Sequence, residues 1–286
     1  MINSATIVKN RQNSPIYRMV IYINMLKQLT ARAKRWGVIC LSLAVIIFAM
    51  AFMPTQAALV YQNQTPRRLP IYRVAREDKK IAISFDCAWG TEHTDQILAA
   101  LDKYKVKCTF FAVEFWVEKY PDYVTKIVQR GHEFGTHSKT HSHMAKMDKA
   151  AIISELESSS AAIERLTNQQ VKLFRAPFGE YDDSVISCAE GLGLYTIQWD
   201  VDSLDWKDLS ATAICERVIK RAKSGSIILC HNNGLHTAES LDMIFSTLIS
   251  CGYEFVPISQ LIYTGENQID YHIDSRGEQH LKDSRA

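Results

Sequence analysis

The first 76 residues contain no aspartate or glutamate. Eleven lysines and arginines stand before the first acid, Glu77, so a formal net charge of +2 conceals a wholly basic arm. Charge of either sign is missing from Trp36 to Met53, "WGVICLSLAVIIFAMAFM". An apolar run of about 18 residues is long enough to span a membrane as a helix. The seven cysteines form no Cys-x-x-Cys pair. They sit mostly in or beside apolar runs and read as small buried hydrophobes rather than as a disulfide framework. Neither an internal repeat nor a low-complexity run occurs.

What is present fits a folded exported domain behind an anchor. With 47% hydrophobic and 22% charged residues, most of the chain is expected to be globular. "ARAKR" precedes the apolar run, and positive residues stay on the cytoplasmic side, so the remainder should be translocated. We therefore expect a basic cytoplasmic arm over 1–35, a transmembrane anchor over 36–56 and a tether over 57–78. "TQAA", Thr55 to Ala58, has the small residues of a signal-peptidase site, and secretion after cleavage near Ala57 is the alternative. The basic excess is explained by this topology, and nucleic acid is not an expected partner.

From Lys79 onward short apolar segments alternate with amphipathic ones. "KIAISF", "VKCTFFAV", "HEFGTH", "VKLFRAP", "LYTIQWDVD", "SIILCHNN" and "YEFVPIS" read as strands. Helices lie between them: "HTDQILAALDKYK", for example, spaces Ile97, Leu98 and Leu101 on one face. Repeated strand–helix units predict an α/β fold with a parallel sheet, and about seven of them suit a distorted (β/α)7–8 barrel. The last segment, 265–286, reads as a loose polar tail.

In such a barrel, reactive groups gather at the carboxyl ends of the strands. Asp86 follows the first strand and His137 and His141 a later one. Arg175 ends the next. Asp200, Asp202 and Asp205, with Trp206, follow a fourth, and His231 a fifth. "HSKTH" spaces two imidazoles at i and i+4, which on a helical turn would face one divalent metal. His132 and His143 read as bystanders.

Five motifs, "SFDCAWG", "HSKTH", "RAPFG", "SLDW" and "LCH", in this order and spacing, resemble those of the polysaccharide deacetylases (carbohydrate esterase family 4, the NodB-homology domain). The resemblance covers Lys79 to Tyr263, and the domain is expected over 79–264. "FDxxWG" and "WDVDSLDW" are most similar to the spore-associated, membrane-anchored branch. The resemblance implies removal of N-acetyl groups from an amino-sugar polymer, peptidoglycan or a chitooligosaccharide, through acid/base attack by a metal-bound water on a carbon–nitrogen amide bond. It implies Asp86 as base, Arg175 as the partner that keeps it ionised, and His231 as the acid oriented by Asp205. His137 and His141 would hold a divalent metal. The segment Pro177–Phe178 would supply an oxyanion donor, and Trp206 a wall of the acetyl pocket.

One position departs from the pattern. The family usually has two successive carboxylates where this chain has Asp86 and Cys87, the second joining the histidines on the metal. Three readings stay open. Cys87 ligates the metal, and a thiolate would favour zinc; or Cys87 points into the core, with the metal held by His137, His141 and water, helped by Glu92 or His93. In the third the metal site is lost, leaving a catalytically silent glycan-binding envelope protein.

Overall fold

The computed structural model describes residues 15–62, 67–264 and 270–282. The readings that fall on 1–14, 63–66, 265–269 and 283–286 lie outside the described residues. Two compact units, 1–66 and 67–286, make up the chain.

In the first unit a helix, α1, runs from Pro15 to Gln62. It is longer than the span expected at 36–56. Residues 16–35 carry Leu, Met, Lys, Arg and Ala, which favour helix, and Pro15 sits at the first position, where its missing N–H costs nothing. Over Pro15–Met50 the helix is long and apolar enough to cross a membrane, with a window of mean hydropathy 1.8.

The second unit is a curled, mainly parallel sheet wrapped by helices. Its strands are β1 (Arg73–Val74), β2 (Lys80–Cys87), β3 (Thr109–Ala112), β4 (Glu133–Thr136), β5 (Leu173–Phe174), β6 (Tyr195–Thr196), β7 (Val201–Asp202), β8 (Ile227–His231) and β9 (Glu254–Phe255). The order across the sheet is β6-β5-β4-β3-β2-β8-β7, with β9 also pairing β2. Helices α2 (Thr94–Lys103), α3 (Glu114–Lys119), α4 (Pro121–Gln129), α5 (Lys149–Thr167), α6 (Asp183–Gly191), α7 (Ala211–Arg221), α8 (Thr237–Ser250) and α9 (Ile258–Leu261) connect them. This is the α/β half-barrel that the alternating pattern predicts.

Two apolar layers follow from strand alternation. Ile81, Ile83, Phe85 and Cys87 of β2 join the large core on the helix side. Ala82 joins the smaller cluster inside the curl, with Phe111, Leu173 and Ile227. Even-numbered β2 residues therefore face the barrel interior, and Asp86 is one of them. Gly135 on β4 is required by this packing: a Cβ there would lie 2.6 Å from the Phe111 ring.

Three sequence expectations are corrected. "LYTIQWDVD" is not one strand but two, β6 and β7, at opposite ends of the sheet order. The curl has a seam between them, where bridges Ile71–Ile197 and Arg73–Ser226 are made. Residues read as tether thus belong to the folded unit: Ile71 and Val74 are buried. The supposedly loose tail likewise contains a hairpin, β10 (Tyr271–Ile273) and β11 (Glu278–Leu281), and β11 pairs in parallel with β1. A polar sequence can do this because its polar groups are matched. The buried amide of Gln279 donates to Tyr263 O and accepts from Tyr263 N–H, at 2.7 and 2.8 Å.

Candidate active site

Strand register assembles the site before any side chain is considered. Asp86 on β2 is the direct Cα partner of His231 on β8. On the other side, Cys87, Ala112, Thr136 and Phe174 form one row across β2 to β5. His137 and Arg175 each follow the last strand residue in that row. Residues 145 positions apart in the chain therefore reach one end of the sheet by hydrogen-bonded pairing alone.

A cavity of about 500 Å³ opens there, and Asp86, His137, His141, Phe178, Trp206 and His231 all line it. Asp202 lines it as well, whereas Asp200 does not. Asp200 instead accepts from Ser226 Oγ and Ile227 N, both at 2.9 Å, and fixes the start of β8. Pro177 is buried beneath the rim. Phe178 is exposed and held at φ 59°, a left-handed conformation that is rare for a bulky residue and marks local strain.

Behind Asp86 lies Arg175, fully buried. Its Nη1 donates to Asp86 Oδ1 at 2.8 Å and to Ser84 Oγ at 2.9 Å. Its guanidinium lies 4.1 Å from the centre of the Phe111 ring. Burial alone would raise the Asp86 carboxyl, but Arg175, helped by His137 and His231, outweighs it and holds the group below the ordinary carboxylate range. Opposite stands a second pair. Asp205 Oδ1 is 2.8 Å from His231 Nδ1, and Asp205 Oδ2 accepts from His231 N–H and Thr237 Oγ1 at 2.7 and 2.6 Å. Burial works against the charged imidazole, yet the Asp205 hydrogen bond and charge prevail and raise the His231 pKa. With Nδ1 committed to Asp205, Nε2 is the nitrogen left for chemistry.

The family pattern implies a metal, and the two histidines fit one. His137 Nδ1 lies 2.8 Å from the Arg175 carbonyl, which accepts its proton and leaves Nε2 with a free lone pair. That Nε2 is 3.6 Å from Asp86 Oδ2. Burial lowers the pKa of both imidazoles, that of His141 to about 4, so both are neutral at pH 7.

Cys87 does not fit. Its Sγ is turned into the helix-side core, 3.8 Å from Phe85 O, and burial raises the thiol well above its usual value. Cys87 packs in the core and is not among the residues that line the cavity. Glu92 and His93 do not line the cavity either. Among the described residues, the one trio of ligand atoms within 4.8 Å of one another is Asp274, Glu278 and His280, on the β10–β11 hairpin.

Sequence reasoning missed several contributors. Ser84, Gln198 and Trp199 surround Arg175, which donates to Gln198 O at 3.3 Å and lies 5.6 Å from the centre of the Trp199 ring. Period-two alternation would have found Ser84, two residues before Asp86. His143, read as a bystander, stacks on Phe178 with ring centres 4.5 Å apart, and its Nδ1 is 2.7 Å from Glu180 Oε2. His132 is buried under Phe110, away from the cavity.

The model of the polysaccharide deacetylase family matches residues 73–197. A peptidoglycan-N-acetylglucosamine deacetylase of Bacillus cereus is 31% identical over 209 residues, 71% of this chain and 98% of that protein. The chain belongs to the polysaccharide deacetylase family. The deacetylase PgdA of Listeria monocytogenes is 33% identical over 68% of this chain and 41% of its own length. A crystal structure of a CE4 family pseudoenzyme from Bacillus anthracis superposes with a TM-score of 0.66 at 34% identity, covering 70% of each chain. The chain spans less than two thirds of some curated relatives, 60% of one Bacillus subtilis protein and 41% of PgdA.

Proposed function

We propose that this polysaccharide deacetylase removes N-acetyl groups from an amino-sugar polymer, peptidoglycan in the first instance. The observation that carries the reading is the β2–β8 register, which sets an ionised carboxylate beside an imidazole of raised pKa at one cavity. A base and an acid with pKa values pushed apart are what amide hydrolysis needs.

In this reading Asp86 takes the proton from the attacking water while Arg175 keeps the carboxylate charged. The water oxygen bonds to the acetyl carbon, and the N–H of the Phe178 backbone steadies the oxyanion, a contact worth about 3 kcal/mol in comparable sites. His231 Nε2 then protonates the sugar nitrogen as the carbon–nitrogen bond breaks, releasing acetate and a free amine. Asp205 holds the imidazole in the required tautomer and Trp206 walls the methyl group. His137 and His141 would hold a divalent ion, for which imidazole suits zinc, and bound there it would supply a Lewis acid that lowers the pKa of water.

The N-terminal helix would anchor the chain, with residues 1–35 in the cytoplasm and the catalytic domain outside the membrane, facing the wall. An enzyme anchored in the membrane meets peptidoglycan before other glycans. Acetate release by the full chain from N-acetylglucosamine oligomers and muropeptides, with zinc, cobalt or manganese, tests the proposal. Silence across all of them would contradict it.

A second reading is a silent glycan-binding protein of the envelope. It draws on the retreat of Cys87 from the cavity and on the similarity to a pseudoenzyme. It predicts saturable binding to wall material with no change in the mass of the bound glycan.

A further inference from the structure

Residues 81–88 are all buried, and the next residue, Trp89, is 57% exposed. Among the described residues of the unit 67–286, four large hydrophobic side chains are more than half exposed: Trp89, Phe178, Trp206 and Leu235. The first three line the cavity that holds Asp86 and His231. Scattered exposed hydrophobes need no explanation, but a cluster of aromatic faces at one mouth marks a binding surface.

The backbone that presents Trp89 is fixed on both sides. The carbonyl of Gly90 accepts from Trp116 Nε1 and from Asn232 Nδ2, each at 2.8 Å. Cys87 O accepts from Val113 N at 3.1 Å, and Asp86 O from Asn232 N at 3.2 Å. Gly90 takes φ +64°, a left-handed conformation that favours glycine. The indole packs edge-on against His141, ring centres 4.9 Å apart, and keeps the rest of its surface in solvent. A large apolar ring held rigidly and left uncovered is a preorganised platform, with little ordering cost on binding.

The geometry points to Trp89 as the stacking platform for a second pyranose ring, the neighbour of the acetylated sugar that enters the cavity. A pyranose with equatorial substituents presents a flat face of C–H bonds, which suits the face of an indole. The sheet order fixes the direction. Trp89 leans on His141, which follows β4, whereas Trp206 follows β7 on the far side of β2. The two rings therefore flank Asp86 on opposite sides, and a glycan crossing the site contacts both. Chains of several sugars are bound more tightly than a single sugar, and Trp89 supplies the difference.

The inference rests on the glycan reading above, and the test separates the two. The full chain in detergent, carrying Asp86→Asn to prevent turnover, is titrated with N-acetylglucosamine and with tetra-N-acetylchitotetraose. The tetramer should bind at least about tenfold tighter than the monomer. Trp89→Ala should erase most of that gap by weakening the tetramer far more than the monomer. Trp89→Leu, which keeps apolar bulk against His141 but not the flat face, should do the same, and Trp89→Phe should retain part of the gap. If Trp89→Ala misfolds, the Leu and Phe variants decide. A gap that persists in Trp89→Leu overturns the platform alone. No binding of either sugar by the Asp86→Asn chain overturns the glycan reading and the platform with it.

Discussion

Two buried carboxylates, Asp86 and Asp205, stand at the carboxyl ends of this sheet, and they have opposite kinds of partner. Asp86 faces a guanidinium that cannot give up its proton, so the carboxylate itself is left available to accept one. Asp205 faces an imidazole that can, and its two oxygens are consumed by His231 and Thr237. The residue type and the burial are the same; the partner decides which group is left free to take or give a proton. Both pairs work by outweighing the cost of burial, and each fails differently when its partner is removed.

The largest effects should come from the reactive members. Asp86→Asn and His231→Ala should each lower kcat for acetate release by about a hundred- to ten-thousand-fold. A similar drop for both would show that the two flanks carry comparable shares of the chemistry. Retained activity in either would break the comparison.

Next come the partners. Arg175→Met leaves Asp86 buried without its cation, and breaking a buried pair from one side costs about 3–5 kcal/mol. Chemical denaturation should register that loss. Asp205→Asn should leave the fold closer to intact, because Thr237 and the His231 N–H can still bond to the amide oxygen, and should act mainly on kcat.

The pH dependence sharpens the contrast. Asp86 and Asp205 have lowered pKa values, so the stability they lend is present above the ordinary carboxylate range and lost as pH falls through the lowered values. The pKa of His231 is raised, so its contribution is complete below the ordinary imidazole value and lost as pH rises through the raised one. Stability from these pairs is therefore greatest between those limits, and thermal melts across pH should show it.

The smallest expected effect is that of Cys87→Ala. Removing one buried heavy atom from the helix-side core should cost about 1 kcal/mol and leave zinc affinity unchanged. A fall in zinc affinity would return the thiol to the metal.

Much of this was legible in the sequence because it depends on strand ends. Apolar runs closed by Asp86, Arg175 and His231 announce both the parallel sheet and the side of it where chemistry collects. Strand alternation also left open that Cys87 faces the core, but the sequence alone could not choose, since a residue at the end of a strand can turn either way. The split of "LYTIQWDVD" was hidden because its ends are separately apolar and only the closing of the curl separates them. The hairpin at 271–281 was hidden because polar residues that satisfy one another across strands carry no hydrophobic pattern. His143 gave no signal: its role as a stacking partner of Phe178 depends on a turn that brings 178 back over 143.

The pH–rate profile for acetate release by the full chain and by Asp205→Asn tests the central claim most directly. A bell-shaped profile is predicted, its alkaline limb set by His231 and displaced to lower pH in Asp205→Asn, where the raising carboxylate is gone. An alkaline limb that stays in place would contradict the assignment of His231 as the acid held by Asp205.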